Sequence, residues 1–457
     1  MRYENGKMVD IKIAYIGGGS RGWAWTLMND LAREPLLAGS VFLYDIDKES
    51  AKINEVIGNR LNAREDVESD WNYVATDTLQ ESLEGADFVV ISITPKTLDE
   101  MEIDVHAPEQ YGIYQSVGDT TGPGGFVRAM RTIPMFNEIA WGVRDWCPNA
   151  WVLNFTNPMA ICVKALYEAF SEIKAFGCCH EVFGTQELLS VILDKKLGIK
   201  NVPREEIVVN VFGVNHFTWF SEANYQGMDL FPLYKEFIDE HYEEGFALDD
   251  NNWANAGWEC SHRVKFDLFR NYGYIAAAGD RHLAEFMPGD VYLKSPEVVK
   301  GWKFGLTKVA TRKARLASRN ARGQRLYNGE EQIVLEDSGE EGVLLIKALC
   351  GMHRFISNVN IPNTCLQIPN LPADAIVECN AVFERDSVKP IYTGMVPENV
   401  KELLMPHVEN QKRVVDAGNK VDKKLLAEAF AADPLVKGRM TAEQIEALVE
   451  EMLAKTL

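Results

Sequence analysis

The chain has 457 residues, of which 46% are hydrophobic and 25% charged, a composition typical of a globular protein with two or three structural units. Its net charge of −20, without any block of basic residues, argues against nucleic acid as a partner. No run reaches the ~20 apolar residues that cross a bilayer, which argues against a membrane partner. Eight scattered cysteines without a C-x-x-C spacing fit free thiols in the cytoplasm.

Short apolar runs alternate with helical stretches over the first 160 residues. A helix is predicted over 23–33, and strands are predicted over 11–16, 41–46, 88–93 and 151–155. Apolar strands that are separated by helices indicate a parallel sheet with right-handed crossovers. We therefore expect an α/β protein whose residues 1–175 form an NAD-binding Rossmann domain.

The pattern changes beyond residue 174. Antiparallel strands are predicted over 206–225, a basic helix over 300–326, an ordered loop with three prolines over 358–372, and an amphipathic helix over 441–453. These elements predict that residues 176–457 form an α+β domain for substrate and metal, with a helical C-terminus.

The segment Gly17-Gly18-Gly19-Ser20-Arg21-Gly22 fits the pattern G-x-G-x-x-G between a predicted strand and a predicted helix. Gly17 permits the tight turn, Gly19 lets the backbone approach a pyrophosphate, and Gly22 lets helix and strand pack closely. Asp45 ends the second strand, where a carboxylate can accept both ribose hydroxyls and repels a 2′-phosphate. Gly17, Gly19, Ser20, Gly22 and Asp45 are thus predicted to bind NAD; the alternative is a glycine-rich turn without a ligand.

Polar residues follow two other apolar segments. Cys179-His180-Glu181 comes after 175–177, and Asn215-His216 ends the run 207–214. Ligands in this class of fold bind outside the carboxyl ends of the strands, and Cys179 with His216 can hold a divalent metal if the fold brings them together. A buried thiol and a hydrogen-bonded core histidine are the alternatives.

Two aspartates lie in loops that precede helices. Asp119 is within the segment 117–125, which contains four glycines, and Asp280 with Arg281 and His282 follows the apolar run 275–278. Each aspartate can serve in acid–base chemistry, or it can cap a helix or lie in a solvated turn.

Several of these motifs together resemble glycoside hydrolase family 4, the NAD- and manganese-dependent glycosidases. The likeness covers nearly the whole chain and is carried by segments 13–20, 122–125, 157–158, 213–216 and 363–374. It implies a second domain of the lactate/malate dehydrogenase-like type. The motif Cys179-His180-Glu181-Val182 resembles that of the α-galacturonidase branch, and Met101 falls near the position of the arginine that contacts phosphate in the phosphoglycosidase branches.

The resemblance also implies roles for individual residues. Cys179 and His216 would bind Mn²⁺ or another divalent metal. His180 or Asp119 would assist departure of the leaving group. Asp280 would be the base, at a position where the phosphoglycosidases have a tyrosine.

The remaining expectations concern the sugar. By resemblance, Asn157 would bind substrate hydroxyls. A uronate carboxylate needs a positively charged partner. Arg281 is the first candidate, and Lys96 and Arg128 are the next candidates. Glu181 would position a cation or a neighbouring side chain.

The family's reaction would be redox-neutral: NAD oxidises C3, a base removes the C2 proton, the C1–O bond breaks by elimination, water adds, and the hydride returns. The expected substrate is a uronate-containing oligosaccharide or glycoside, and the expected protein is a cytoplasmic homodimer or homotetramer. The alternatives are an α-galactosidase or α-glucosidase of the same family, a lactate/malate-like NAD dehydrogenase, and a catalytically silent NAD-sensing protein.

Overall fold

The computed structural model describes residues 1–248 and 260–457. Its strands are β1 (Arg2–Glu4), β2 (Lys7–Ile16), β3 (Leu37–Tyr44), β4 (Asp70–Ala75), β5 (Phe88–Ile91), β6 (Trp151–Asn154), β7 (Lys174–Gly177), β8 (Val208–Val214), β9 (Phe217–Tyr225), β10 (Met228–Asp229), β11 (Ile275–Ala276), β12 (Phe355–Pro362), β13 (Ile376–Glu384) and β14 (Ser387–Pro390). Its helices are α1 (Trp23–Ala32), α2 (Lys48–Asn62), α3 (Leu79–Leu83), α4 (Leu98–His106), α5 (Gly122–Trp146), α6 (Met159–Ala169), α7 (Glu181–Leu197), α8 (Phe231–His241), α9 (Arg263–Tyr272), α10 (Asp280–Phe286), α11 (Pro296–Gly301), α12 (Val309–Asn328), α13 (Gly342–Leu349), α14 (Glu398–Lys420), α15 (Lys423–Ala432) and α16 (Ala442–Thr456). No helix within the described ranges is long and apolar enough to cross a membrane.

Six strands of the large sheet run parallel in the order β4-β3-β2-β5-β6-β7. Ile13 on β2 pairs with Val41 on β3 and with Phe88 on β5, so the second strand of the chain lies inside the sheet. This strand order is that of a Rossmann sheet. The predicted N-terminal Rossmann sheet is therefore confirmed, and the four predicted strands all belong to it.

The same sheet continues past β7 with three antiparallel strands from the C-terminal half of the chain. β12 pairs with β7 through Asn360 and Gly177, β13 pairs with β12, and β14 pairs with β13. Strands from both sides of the boundary predicted at residue 175 thus share one sheet. The position of that boundary stays a prediction.

The large sheet is covered by helices on both faces, and the alternation of side chains along β2 shows why. Ile13 and Tyr15 belong to the core beneath α1, α2 and α13, whereas Ala14 and Ile16 belong to the core beneath α5, α6 and α14. Successive side chains of a strand point to opposite faces, so a strand that is apolar at every position is buried on both.

A second, antiparallel sheet lies next to the first and supports the C-terminal half of the site. β8 and β9 form a hairpin through the turn Asn215-His216, where His216 has a φ of 65°. β11 pairs with β9, matching Ile275 with Phe220. The α+β character expected for the second part of the chain is confirmed by this sheet and the helices around it.

The prediction of a loop over 358–372 is wrong for its first five residues, which complete β12. The strand was missed because Asn358 and Asn360 are polar yet buried, so this stretch lacks the apolar alternation that predicts a half-buried strand. The basic helix predicted over 300–326 begins later, at Val309, and the helices predicted over 23–33 and 441–453 are confirmed as α1 and α16.

Candidate active site

The glycine-rich loop joins β2 to α1 and brings its backbone to the end of the sheet. Gly17 has a φ of 99°, and a Cβ atom there would lie 2.1 Å from the carbonyl oxygen of Ser92. A Cβ atom at Gly19 would lie 2.7 Å from Cβ of Ser50. Only glycine fits these two positions, because the first needs the left-handed conformation and both lack space for a side chain.

Asp45 closes the loop from the end of β3. Its Oδ2 accepts the Gly19 amide at 2.8 Å, and its Oδ1 accepts the Asp47 amide at 2.9 Å. Gly22 follows at the start of α1, whose N-terminus has no side-chain cap, and Nη1 of Arg319 lies 3.4 Å from the position of a Cβ atom on Gly22. Uncapped amides beside a guanidinium favour an anion, so this loop, with Ser20 half-buried on it, fits a dinucleotide pyrophosphate.

Residues from three strand ends meet around His216. The His282 ring packs against the His216 ring in a tilted arrangement with 3.7 Å between their centroids, and its Nε2 lies 3.4 Å from Oε1 of Glu181. The other Glu181 oxygen accepts the Gly279 amide at 2.8 Å. The structure thus brings the segments of Cys179, His216 and Asp280 to one place, and the side chain of Glu181 connects the first segment with the third.

The side chain of Asn215, the residue before His216, hydrogen-bonds the Cys179 thiol. Burial, reinforced by Glu378 and Glu181, raises the pKa of the Cys179 thiol well above its usual value. Burial and His282 lower the pKa of His216 to about 3, so its imidazole is neutral. A neutral imidazole and a thiol that can lose its proton to a metal form a donor set that fits a divalent cation.

The hydroxyl group of Thr120 connects Asp119 to His216. The Thr120 hydroxyl is 2.9 Å from Nδ1 of His216 and donates to Oδ1 of Asp119 at 2.9 Å. Burial raises the pKa of Asp119, but Arg312 and Arg128 outweigh burial and hold this pKa below its usual value. Asp119 is therefore an ionised acceptor near neutral pH.

His180 lies on the nucleotide side of Cys179. Its Nδ1 is 3.1 Å from Oε1 of Glu340, and its ring centroid is 6.3 Å from that of Trp23 in α1. The hydrogen bond with Glu340 raises the pKa of His180 and outweighs the opposing effect of burial. This arrangement favours the protonated imidazolium, which is the form that can donate a proton.

Asp280 and Arg281 make contacts that sequence analysis did not predict. The carboxylate of Asp280 is fully buried and accepts the amides of Val264 at 3.2 Å and Lys265 at 3.1 Å, at the start of α9. Burial raises the pKa of Asp280 to about 6, against the effect of Lys265. Arg281 donates to the Ser116 carbonyl oxygen from both Nε, at 3.0 Å, and Nη2. Both side chains hold backbone segments that surround the site.

Asp280 belongs to a buried cluster of potential metal ligands. Within the described residues, Cys260, His262 and Asp280 each place one potential metal-ligand atom within 4.8 Å of the others, and Sγ of Cys260 lies 3.5 Å from Nδ1 of His262. Nε2 of His262 is buried without a hydrogen-bond partner in the described part of the chain. Burial, and then Lys265, lower the pKa of His262 well below its usual value. Lys265 already supplies a cation near this cluster, which disfavours a second cation there.

Asn157 lies after β6, where a cis peptide bond joins it to Pro158. Its Oδ1 is buried and has no hydrogen-bond partner among the described residues, while its carbonyl oxygen accepts Nε of Arg128 at 3.0 Å. A pocket lined in part by Thr120, Pro158 and Asn215 opens beside this turn. An unpartnered amide oxygen next to a pocket is suited to a ligand hydroxyl.

Glu378 on β13 is a buried carboxyl group that sequence analysis missed. It accepts Asn358 Nδ2 at 2.6 Å and Asn215 Nδ2 at 3.3 Å, and burial raises its pKa to about 7. Asn358 also donates to the Cys179 carbonyl oxygen at 2.9 Å. No local motif marks Glu378, because its partners are distant in the chain.

Comparison with known proteins identifies the family. Residues 12–195 match the family model described as family 4 glycosyl hydrolase, and residues 211–436 match the C-terminal domain of the same family. The α-galacturonidase of Lachnoclostridium phytofermentans is 61% identical over 456 residues, which cover 100% of this chain and 98% of that protein. The chain belongs to glycosyl hydrolase family 4. The resemblance predicted from the motifs is confirmed.

Solved structures agree with this assignment. The crystal structure of lplD from Bacillus subtilis is 49% identical, superposes with a TM-score of 0.92, and covers 98% of this chain and 100% of its own. A 6-phospho-α-glucosidase from gut microorganisms, solved in complex with NAD and Mn²⁺, is 22% identical with a TM-score of 0.76 over 98% of each chain. This second likeness supports the fold alone.

Proposed function

We propose that this protein is a cytoplasmic, homo-oligomeric α-galacturonidase that cleaves uronate-containing oligosaccharides or glycosides. It would use NAD and a divalent metal, with Mn²⁺ as the first candidate. The observation that carries the proposal is the 61% identity, over the whole chain, to a protein named α-galacturonidase. The site supports it, because the nucleotide loop and Cys179 both follow parallel strands of the large sheet, and Asn215, the residue before His216, hydrogen-bonds the Cys179 thiol. A simple dehydrogenase does not need a thiol and an imidazole that can bind a metal.

Five residues would hold the cofactor: Gly17, Gly19, Ser20, Gly22 and Asp45. Cys179 and His216 would hold the metal. When bound, these two groups supply reversible oxidation of the sugar at C3 and polarisation of the resulting carbonyl group. The protein's own task is to orient the sugar and to move protons at C2 and at the leaving-group oxygen.

Orientation of the sugar is assigned to Asn157, and orientation of a metal ligand to Glu181. The unpartnered Oδ1 of Asn157 would accept a substrate hydroxyl. Glu181 contacts His282, which packs against His216 and restricts the position of that imidazole. Side chains that orient a metal ligand in this way are part of the site even when they do not touch the substrate.

Proton donation to the leaving group is assigned to His180. Its hydrogen bond with Glu340 favours the charged imidazole, whereas Asp119 is held in the ionised form by Arg312 and Arg128. Of the two residues predicted for this role, His180 is therefore the better proton donor.

Removal of the C2 proton needs a base with an available lone pair. Asp280, the predicted base, accepts one backbone amide on each oxygen, and each oxygen keeps a second lone pair. Burial raises the pKa of Asp280 to about 6, which suits a general base, whereas burial lowers the pKa of the neighbouring His262 well below its usual value and makes it a weak base. The role therefore stays with Asp280.

The test is a panel of 4-nitrophenyl glycosides with NAD, Mn²⁺ and a thiol reductant. The α-galacturonide should be cleaved faster than the α-galactoside, the α-glucoside and the 6-phosphoglucosides. Omission of either NAD or Mn²⁺ should abolish cleavage. If the α-galactoside is cleaved as fast as the α-galacturonide, the substrate assignment fails.

A further inference from the structure

A side chain from a distant part of the chain, Arg319 in the middle of α12, lies beside the start of α1. A Cβ atom on Gly22 would lie 3.4 Å from Nη1, 3.6 Å from Cζ and 4.0 Å from Nε of Arg319. We propose that Arg319 binds the pyrophosphate of NAD and holds the cofactor from α12, together with the glycine-rich loop. This inference rests on the proposed NAD-dependent function and adds a residue to its cofactor site.

The packing of α12 on α1 and α2 fixes the place of Arg319. Gly323 lies one turn further along α12, and a Cβ atom on it would lie 3.2 Å from the Trp25 ring of α1. Near the end of α12, Nη1 of Arg60 on α2 donates to the Leu326 carbonyl oxygen at 2.7 Å. Residues four apart share one face of a helix. The face of α12 that packs on α1 therefore also carries Arg319.

The guanidinium of Arg319 is available for a ligand. It is exposed and has no hydrogen bond or ion pair with any other residue that the structure describes. The arginine of the glycine-rich loop is engaged instead, because Nη2 of Arg21 donates to the Ser50 hydroxyl and lies 3.4 Å from Oδ2 of Asp47. Of these two arginines, Arg319 is the one without an acidic partner.

The start of α1 has the donors that a pyrophosphate needs, but it lacks a full positive charge of its own. This helix has no side-chain cap and no acidic residue in its first turn. Its free N–H groups and its dipole attract an anion. Each phosphate group of NAD carries a negative charge, however, and the protein has a net charge of −20. A guanidinium adds a positive charge and a planar pair of N–H groups that fits phosphate oxygens.

A contact of this kind suits a cofactor that stays bound. In a redox-neutral reaction the hydride returns to the sugar, so NAD does not have to leave between turnovers. A dehydrogenase, by contrast, must release NADH after each turnover. A cation on the pyrophosphate can therefore slow release of NAD without slowing the glycosidase, and we expect Arg319 to act mainly on the rate of NAD dissociation.

The experiment measures NAD binding by isothermal titration calorimetry, without any sugar, in the wild type, Arg319→Gln and Arg319→Lys. We expect Arg319→Gln to raise the Kd for NAD about 10- to 30-fold, because a charged hydrogen-bond donor is lost at a partly exposed site. Arg319→Lys should raise it less, because lysine keeps the charge without the planar geometry. The dissociation rate of NAD, measured by stopped-flow fluorescence, should rise by a similar factor in Arg319→Gln.

Arg325→Gln is the matched control. It removes the same charge from the same helix, at a side chain whose Nη2 lies 2.8 Å from Oε2 of Glu331. Loss of an exposed ion pair has little effect on a distant site, so its Kd for NAD should stay within about twofold of the wild-type value. An equal loss of affinity in Arg319→Gln and Arg325→Gln would assign the effect to net charge and overturn the inference.

Fragments of the cofactor identify the group that Arg319 contacts. The loss in Arg319→Gln should recur with ADP-ribose, which contains the pyrophosphate, and should be absent with adenosine, which has no phosphate. Added salt should narrow the difference between the wild type and Arg319→Gln, since it screens an exposed charge. An unchanged Kd for NAD in Arg319→Gln, or an equal loss with adenosine, would overturn the inference. A wild type that does not bind NAD would instead contradict the proposed function itself.

Discussion

A substitution at Cys179 can separate the effect of metal binding from that of NAD binding. Its thiol hydrogen-bonds the side chain of Asn215, whereas the nucleotide loop is formed by other strand ends. Cys179→Ser should abolish Mn²⁺-dependent turnover, because a serine hydroxyl does not ionise to replace the thiolate, and should leave NAD affinity within about threefold of the wild type. Turnover and NAD titration by fluorescence measure the two effects.

The matched control for this variant is Cys178→Ser. Cys178 is the neighbouring thiol, but it packs against the apolar core on the opposite side of the sheet. Cys178→Ser should retain Mn²⁺-dependent turnover. Full activity of Cys179→Ser would remove that thiol from the mechanism.

The choice of base is tested by Asp280→Asn, with His262→Gln for comparison. We expect Asp280→Asn to lower kcat at least about 100-fold, because a side-chain amide cannot take up the C2 proton. His262→Gln should retain more of the activity, because burial already makes His262 a weak base. The rate of exchange of the C2 proton with deuterated solvent reports the step directly. The opposite ranking would give the role to His262.

Residues of the site were predictable where a local motif marks them. The loop with Gly17 and Gly19, and Asp45 after the next strand, follow from spacing alone because all three act within one β-α-β unit. Glu378 was not predictable, since its partners Asn215 and Asn358 are distant from it in the chain.

At the scale of elements, the close packing of α2 on β4 depends on Gly58. A Cβ atom there would lie 2.5 Å from the ring of Tyr73, which is fully buried on β4. Gly58→Ala should destabilise the fold by about 1–3 kcal/mol, because a packed core cannot accept an added methyl group without displacement. Thermal unfolding measures this as a lower Tm.

Gly184 provides the control within a helix. It lies in α7, and a Cβ atom on it would meet nothing within 4 Å. Gly184→Ala should leave Tm unchanged or raise it, because alanine favours the helix by about 1 kcal/mol. Equal loss of stability in both variants would show that the contact with Tyr73 is not the cause.

Elements were predictable where their apolar pattern is regular. Four of the six parallel strands contain a run of apolar residues and were located within a few residues. β4, in which polar and apolar residues are mixed, was not predicted. β12 was not located, because the buried face of this strand carries asparagines that hydrogen-bond Glu378 rather than apolar side chains. Buried polar contacts of this kind leave no periodic signal in a sequence.

At the scale of the whole molecule, the two halves of the chain share structure. β12, β13 and β14 extend the Rossmann sheet, and α14 packs on α5 and α6 in one core. We expect calorimetry to show one cooperative unfolding transition, since neither half buries its apolar surface alone. Two separate transitions would contradict this view and support independent domains.

The central claim is that the nucleotide loop and the metal-binding pair serve one redox-neutral hydrolysis. The most direct test records 4-nitrophenol release from the α-galacturonide together with absorbance at 340 nm, with NAD below the substrate concentration. The account predicts many product molecules per NAD and no net rise of the NADH signal. A rise of NADH in step with product would contradict it and indicate a dehydrogenase instead.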